Sequence, residues 1–213
     1  MNKSLRLDER DYTILKTVYR FRFCLGRHIK IFAGYGSLRA TDRRLKLLVE
    51  AGYLERKKYI FGIPYLYTVS HKGRNLIGVN KRADVIRLDR IAHDIYVIEA
   101  VIYYMVNYNI SLTDIESEKE LHIKDGFRVR KHYPDFIVRV NDKTVAVEIE
   151  LNPKAKERVE KNIRDNYLNY DSQEWISDNA KVLRLLGELK NTYSNIEVFN
   201  LGEVLEYIKE YYV

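Results

Sequence analysis

Three carboxylates are distinguished by type and spacing. Glu148 and Glu150 lie two residues apart in a stretch of alternating character, Thr144 to Leu151. Side chains of a strand alternate between faces, so Val145, Val147, Ile149 and Leu151 share one face, and Ala146, Glu148 and Glu150 share the other. Two neighbouring carboxylates repel unless water solvates them or a cation lies between them. An oxygen-rich site of this kind suits Mg²⁺ or Mn²⁺, and such an ion activates water and stabilises charge on a phosphoryl group. Asp135, in Tyr133-Pro134-Asp135, leads into a second strand-like run, Phe136 to Val140, with a turn at Asn141-Asp142. Asp135 and Glu148 stand about equally far from that turn, so an antiparallel hairpin brings them together if its register allows. The expectation is that Asp135 and Glu148 hold the metal and that Glu150 is a further ligand or the base for the attacking water. The competing expectation is an exposed edge strand with surface glutamates.

A second set of residues is basic. Arg39, Arg43 and Lys46 recur at i, i+4 and i+7, with Arg44 beside them and Thr41 on the same stretch. On a helix this gives a basic face that meets phosphates or guanine edges. Arg56, Lys57 and Lys58 form a second cluster suited to phosphate contact. The charge is divided unevenly along the chain. Residues 1–82 hold 19 Lys and Arg against 6 Asp and Glu, and the remainder holds 18 against 24, within a net charge of +7. A basic first part and an acidic second part point to two modules with different tasks; the alternative for the basic face is plain solvation or protein contact.

The elements that must position these residues can be read from periodicity. Asp8 starts a first helix, with Tyr12, Leu15 and Tyr19, and Ile14 and Val18, at helical spacing. Leu25, Ile29 and Phe32 mark a second. Ser37 caps a third, running to about Ala51, with Leu38, Leu45 and Leu48 expected on its buried side. Tyr53 to Phe61 and Tyr65 to Val69 read as strands about a Gly62-Ile63-Pro64 turn. Three helices and a hairpin make a winged helix-turn-helix, whose third helix enters the major groove. A domain of residues 1–80 follows, with a linker at Gly78 to Ala83 and a second domain of residues 84–213. There, Ile91, Ile95, Ile98, Ile102 and Met105 mark a long amphipathic helix. A strand is expected at Ile110 to Ile115, and a hairpin or loop over residues 116–132. After the acidic hairpin come helices at Pro153 to Tyr170, Ala180 to Tyr193 and Gly202 to Tyr212, with strands at Glu174 to Ser177 and Ile196 to Asn200. The fold class is α+β or α/β, a mixed sheet flanked by helices.

The Pro-Asp, the twelve intervening residues and Glu-Ile-Glu resemble the PD-(D/E)xK, or restriction-endonuclease-like, superfamily, with Asp135, Glu148 and Glu150 at the motif positions. The third position is usually Lys and here is Glu150. Some restriction endonucleases of that superfamily carry a second Glu there and remain active; in other members loss of the Lys marks a binding domain. Lys154 or Lys161, on the following helix, are candidates to supply the cation. The order of a winged helix, then "RIAHDIYVIEA", then "YPDFIVRV" and "VAVEIEL" resembles the replication-relaxation family of plasmids and other mobile elements. That resemblance implies a DNA-binding protein acting in replication or DNA relaxation, with metal-dependent nicking of an origin-like site as its candidate chemistry. His93 falls where the family tends to have a His; a satisfied histidine is the alternative. Tyr167 and Tyr170 are candidates only in a relaxase-like scheme.

The other functional classes are a non-enzymatic DNA-binding accessory factor or transcriptional regulator with an inactive nuclease-like domain, and, more weakly, a ligand-responsive transcription factor. Double-stranded DNA is the expected partner, with a homodimer and replication or conjugation proteins as further candidates. No membrane partner is expected, because no apolar run is long enough to span a bilayer. The single Cys24 fits a reducing, cytoplasmic setting and excludes a four-cysteine zinc site.

Overall fold

Local capping starts the N-terminal helices where the sequence places them. In this computed structural model, which describes residues 5–82, 84–126 and 131–212, α1 spans Glu9–Arg20. The Asp8 carboxylate accepts from the Asp11 amide at 3.1 Å and the Asp11 carboxylate accepts from the Asp8 amide at 2.8 Å, a reciprocal cap that satisfies amides with no intrahelical partner. After α2 (Gly26–Phe32), Ser37 caps α3 (Leu38–Glu50) by accepting from the Ala40 amide at 3.2 Å. β1 (Leu54–Lys57) and β2 (Leu66–Val69) pair antiparallel, Leu54 opposite Val69. Cys24 and Tyr67 exchange both backbone hydrogen bonds, which ties the segment before α2 to the hairpin. α4 (His71–Leu76) follows. Gly73 is required there: a Cβ would lie 2.2 Å from the Tyr53 carbonyl oxygen.

The chain divides into two compact units, Met1–Ile98 with Lys209–Val213, and Glu99–Ile208. The division falls inside α5 (Ile91–Asn107), not at the linker expected between residues 78 and 83; Ala83 itself is outside the described residues. Packing explains the shift. Ile91 and Ile95 are buried with Phe23, Leu25 and Leu66, and Tyr59, Ile60, Ile63 and Ile86 pack against them. A chain ended near residue 80 lacks two side chains of this core. The inward turn of Ile60 and Ile63 also shortens the strand expected to reach Phe61, which ends at Lys57.

In the second unit the described residues form a five-stranded sheet in the order β3-β4-β5-β6-β7. These strands are β3 (Ile115–Ser117), β4 (Phe136–Val140), β5 (Lys143–Ile149), β6 (Ser172–Ser177) and β7 (Ile196–Asn200). β3, β4 and β5 are antiparallel neighbours, while β5, β6 and β7 run parallel. Each parallel step needs a crossover, supplied by α7 (Lys156–Asn169) and α8 (Ala180–Lys190). These helices bury Val159, Ile163, Val182, Leu186 and Leu189 with Trp175 of β6 and Ile196 of β7. On the opposite face, Tyr104 of α5 packs edge-on to Phe136, and its hydroxyl donates to the buried Glu174. α9 (Leu201–Lys209) closes the described chain, apart from a short turn. The stretch 116–132, expected as a hairpin or loop, instead contains the end of β3 and α6 (Glu118–Asp125), capped by Ser117; residues 127–130 of it are outside the described residues. The strand expected to begin at Ile110 begins at Ile115, after a 3₁₀ turn. Among the described residues, no helix is long and apolar enough to cross a membrane.

Candidate functional site

The hairpin register decides whether the carboxylates meet. Phe136 lies opposite Val147, so Asp135, one residue earlier, falls opposite Glu148. The Asp135 carboxylate accepts from the Ile149 amide at 2.8 Å, which fixes it across the end of β5. β5 is the middle strand of the five, so Glu148 and Glu150 are buried, 7% and 4% exposed. The expectation of an exposed edge strand is therefore not met.

Buried carboxylates need partners, and each has one within the protein. Glu148 accepts from His132 Nε2, and from Asn166 Nδ2 of α7 at 3.0 Å. Burial pushes the Glu148 carboxyl above its usual range and neighbouring Asp135 adds to this, while His132 and Asn166 oppose it. Burial works against the charged form of His132. Its hydrogen bond to Glu148, with the charges of Glu148, Asp135 and Asp165, more than offsets this and raises its pKa. One proton held between the two side chains accounts for both directions. Glu150 pairs with Lys154 Nζ, four residues on. Lys154 lies before the first turn of α7, not on the helix, and Lys161 is exposed on α7. Tyr170, at the end of α7, packs against Leu121, Tyr133 and Ile137, and burial with nearby carboxylates pushes its phenol up to about 12. Tyr167 is 45% exposed and packs edge-on to Tyr193.

Asp135, Glu148 and Glu150 thus share one end of β4 and β5, but their cationic neighbours are His132 and Lys154. Among the described residues, no three His, Cys, Asp or Glu side chains are grouped so as to hold a metal ion. His132 and Asn166 were missed in the sequence. His132 stands only three residues before Asp135, which is the one signal that could have drawn it in.

In the first unit the basic residues sort by helix face. Arg39, Arg43 and Lys46 are exposed on α3. Lys46 has only a long ion pair to Glu50, 3.8 Å and largely solvated. Thr41, expected on the DNA-facing side, is fully buried and donates to the Ser37 carbonyl at 3.0 Å. It shares the inward stripe with Leu45 and Leu48, at i+4 and i+7, whereas Leu38, expected inside, is 38% exposed at the helix start. Arg44, three residues after Thr41, flanks that stripe. Its Nε donates to Asp11 at 2.7 Å, and its second nitrogen donates to the same carboxylate and to the Arg6 carbonyl. Arg44 is thus held by the Asp11 carboxylate and the Arg6 carbonyl, unlike Arg39 and Arg43, which stand open on α3.

Arg56, Lys57 and Lys58 are all exposed, and each cation lies against a ring: Arg56 over Tyr65, Lys57 by Tyr59 and Lys58 by Phe61. Lys46 of α3 and Arg56 of β1 line one depression with Asp42, Glu50 and Tyr67, so helix and hairpin contribute to a common surface. His93 lies in the first unit, on the first turns of α5, beside Asp94 at 3.2 Å and Arg90 at 3.4 Å. No family model, curated protein or solved structure matches the chain.

Proposed function

We propose that the protein binds double-stranded DNA through its first unit, a winged helix in this reading, with α3 in the major groove and the β1–β2 hairpin on the backbone. The observation that carries the reading is the exposed cationic surface of that unit, Arg39, Arg43 and Lys46 on α3 with Arg56, Lys57 and Lys58 on the hairpin. Positive charge on one element positioned for a groove and another positioned for phosphates is the pattern of duplex recognition.

The second unit is a nuclease-like domain in this proposal, and the protein acts on a plasmid or other mobile element in replication or DNA relaxation. The sheet order and the meeting of Asp135 with Glu148 support the PD-(D/E)xK reading. The commitment of Glu148 to His132 and Asn166, and of Glu150 to Lys154, favours an accessory DNA-binding role over cleavage. Nicking is the second reading, favoured by the supply of a lysine, Lys154, beside the motif position where Glu150 replaces one. Incubation with supercoiled plasmid and Mg²⁺ or Mn²⁺ separates them. A mobility shift without nicking is the expected result. Nicked product, lost in Glu148→Gln, establishes the second reading, and no shift at all overturns the DNA-binding proposal.

A further inference from the structure

The connection between β1 and β2 presents one apolar side chain to solvent by construction. Ile60 and Ile63 are half-buried against the cluster of Phe23, Leu25, Leu66, Ile91 and Ile95. Phe61, between them, is 95% exposed. Gly62 follows at φ +82° and lets the chain reverse there. Two inward anchors thus hold the loop and leave the ring outside. A Phe held in water forgoes the burial that favours it elsewhere, so the ring stands available to a partner.

Its neighbours along the loop are charged with one sign. From Arg56 to Tyr65 the chain reads RKKYIFGIPY, with three cations and no carboxylate. The Lys58 ammonium lies 5.5 Å from the Phe61 ring centre, and the Arg56 guanidinium 3.8 Å from that of Tyr65. The matching surface is an apolar face set between anions, which is a base step between its phosphates. An anionic bilayer also offers apolar and negative groups. The duplex is favoured because α3 exposes Arg39, Arg43 and Lys46 in the same unit, and Lys46 lines one depression with Arg56; a flat surface provides no groove for such a helix.

We propose that Phe61 is a wedge that enters the minor groove of the bound duplex and unstacks a base step, with Lys57 and Lys58 on the flanking phosphates. Apolar wedges of this kind kink the duplex and let it contact more protein surface. The inference rests on the duplex-binding reading of the first unit and adds to it a deformation of the DNA. It also gives a source of sequence preference, since pyrimidine–purine steps unstack most readily.

The test uses the full chain and a short duplex that carries a fluorescent adenine analogue at a central TA step and a dye at each end. Wild-type protein is expected to brighten the analogue and shorten the end-to-end distance. Phe61→Ala, at a site outside the core, is expected to weaken binding by about ten- to a hundredfold. It should abolish both optical changes and leave the slope of affinity against salt unaltered, since no charge is removed. Phe61→Leu, which keeps an apolar wedge, should retain the bend. Undiminished affinity and bending in Phe61→Ala overturn the wedge while leaving duplex binding intact. The wedge is equally overturned if Phe61→Ala loses only binding to vesicles containing phosphatidylserine. If the wild type binds no duplex, the wedge falls together with the reading on which it rests.

Discussion

Arg44→Ala separates a cation held by the fold from the exposed cations on the same helix. Asp11 is fully buried and the Arg44 side chain is 19% exposed. Arg44 meets both carboxylate oxygens, and Asp11 also caps α1 through the Asp8 amide. Removing the guanidinium leaves a buried carboxylate with no cation, which costs about 3–5 kcal/mol for a fully buried pair. Arg44 reaches solvent, and water can replace part of it, so the expected loss is about 3 kcal/mol, the low end of that range. For a unit of about 100 residues that lowers its Tm by about 12–24 °C. Differential scanning calorimetry measures the loss. Asp11→Asn in the Arg44→Ala background should recover part of it, because the charge left unpaired is then removed. Duplex affinity, measured by fluorescence anisotropy below the transition, should stay near the wild-type value, whereas Arg43→Ala should weaken it. An Arg44→Ala protein that keeps its Tm and binds duplex as poorly as Arg43→Ala would refute the assignment of Arg44 to the fold.

Ile95→Ala should destabilise the first unit by about 2–4 kcal/mol in urea unfolding. A fragment ended at Asn80 should lack a cooperative transition, since Ile91 and Ile95 belong to its core; a folded, two-state fragment of that length would contradict this. The His132–Glu148 pair predicts a pH dependence. Both groups bind a proton more tightly in the folded state, so their contribution is full below the ordinary values of about 4.3 for Glu and 6.5 for His. It is lost as pH rises through the raised folded values. Stability should therefore fall as pH is raised above the ordinary carboxyl range and through the raised folded values, and Glu148→Gln should flatten that fall; an unchanged slope in the variant means the proton is not held there.

The features legible in the sequence are those set by local chemistry. Asp8 and Ser37 announce helix starts because their side chains satisfy amides that any helix leaves open. The acidic hairpin was legible because a short turn at Asn141-Asp142 fixes which residues face one another, and Asp135 does fall opposite Glu148. Long-range packing was not legible. Thr41 is polar yet lies on the inward stripe, and Arg44 turns inward because Asp11, 33 residues away, waits there. α6 is short and mostly charged, so its periodicity is faint, and its start rests on the Ser117 cap. The division inside α5 was not legible because Ile91 and Ile95 continue a helical pattern whose first turns serve a different core. His132 carries no pattern of its own; it gains a role only when the fold brings Glu148 and Asn166 together.

The central claim is that α3 and the hairpin hold duplex DNA by their exposed cations, and the salt dependence of binding tests it most directly. Affinity is measured by anisotropy across a range of KCl for the wild type, for Arg39, Arg43 and Lys46 replaced together by Ala, and for Arg56, Lys57 and Lys58 replaced together by Ala. Each phosphate neutralised by the protein contributes about 0.9 to the slope of log K against log salt. Both triple variants should bind more weakly, and their slopes should be shallower than the wild-type slope by about one for each phosphate that the variant no longer neutralises. Wild-type slopes and affinities in both variants would contradict the claim and place any DNA-binding surface outside the first unit's basic face.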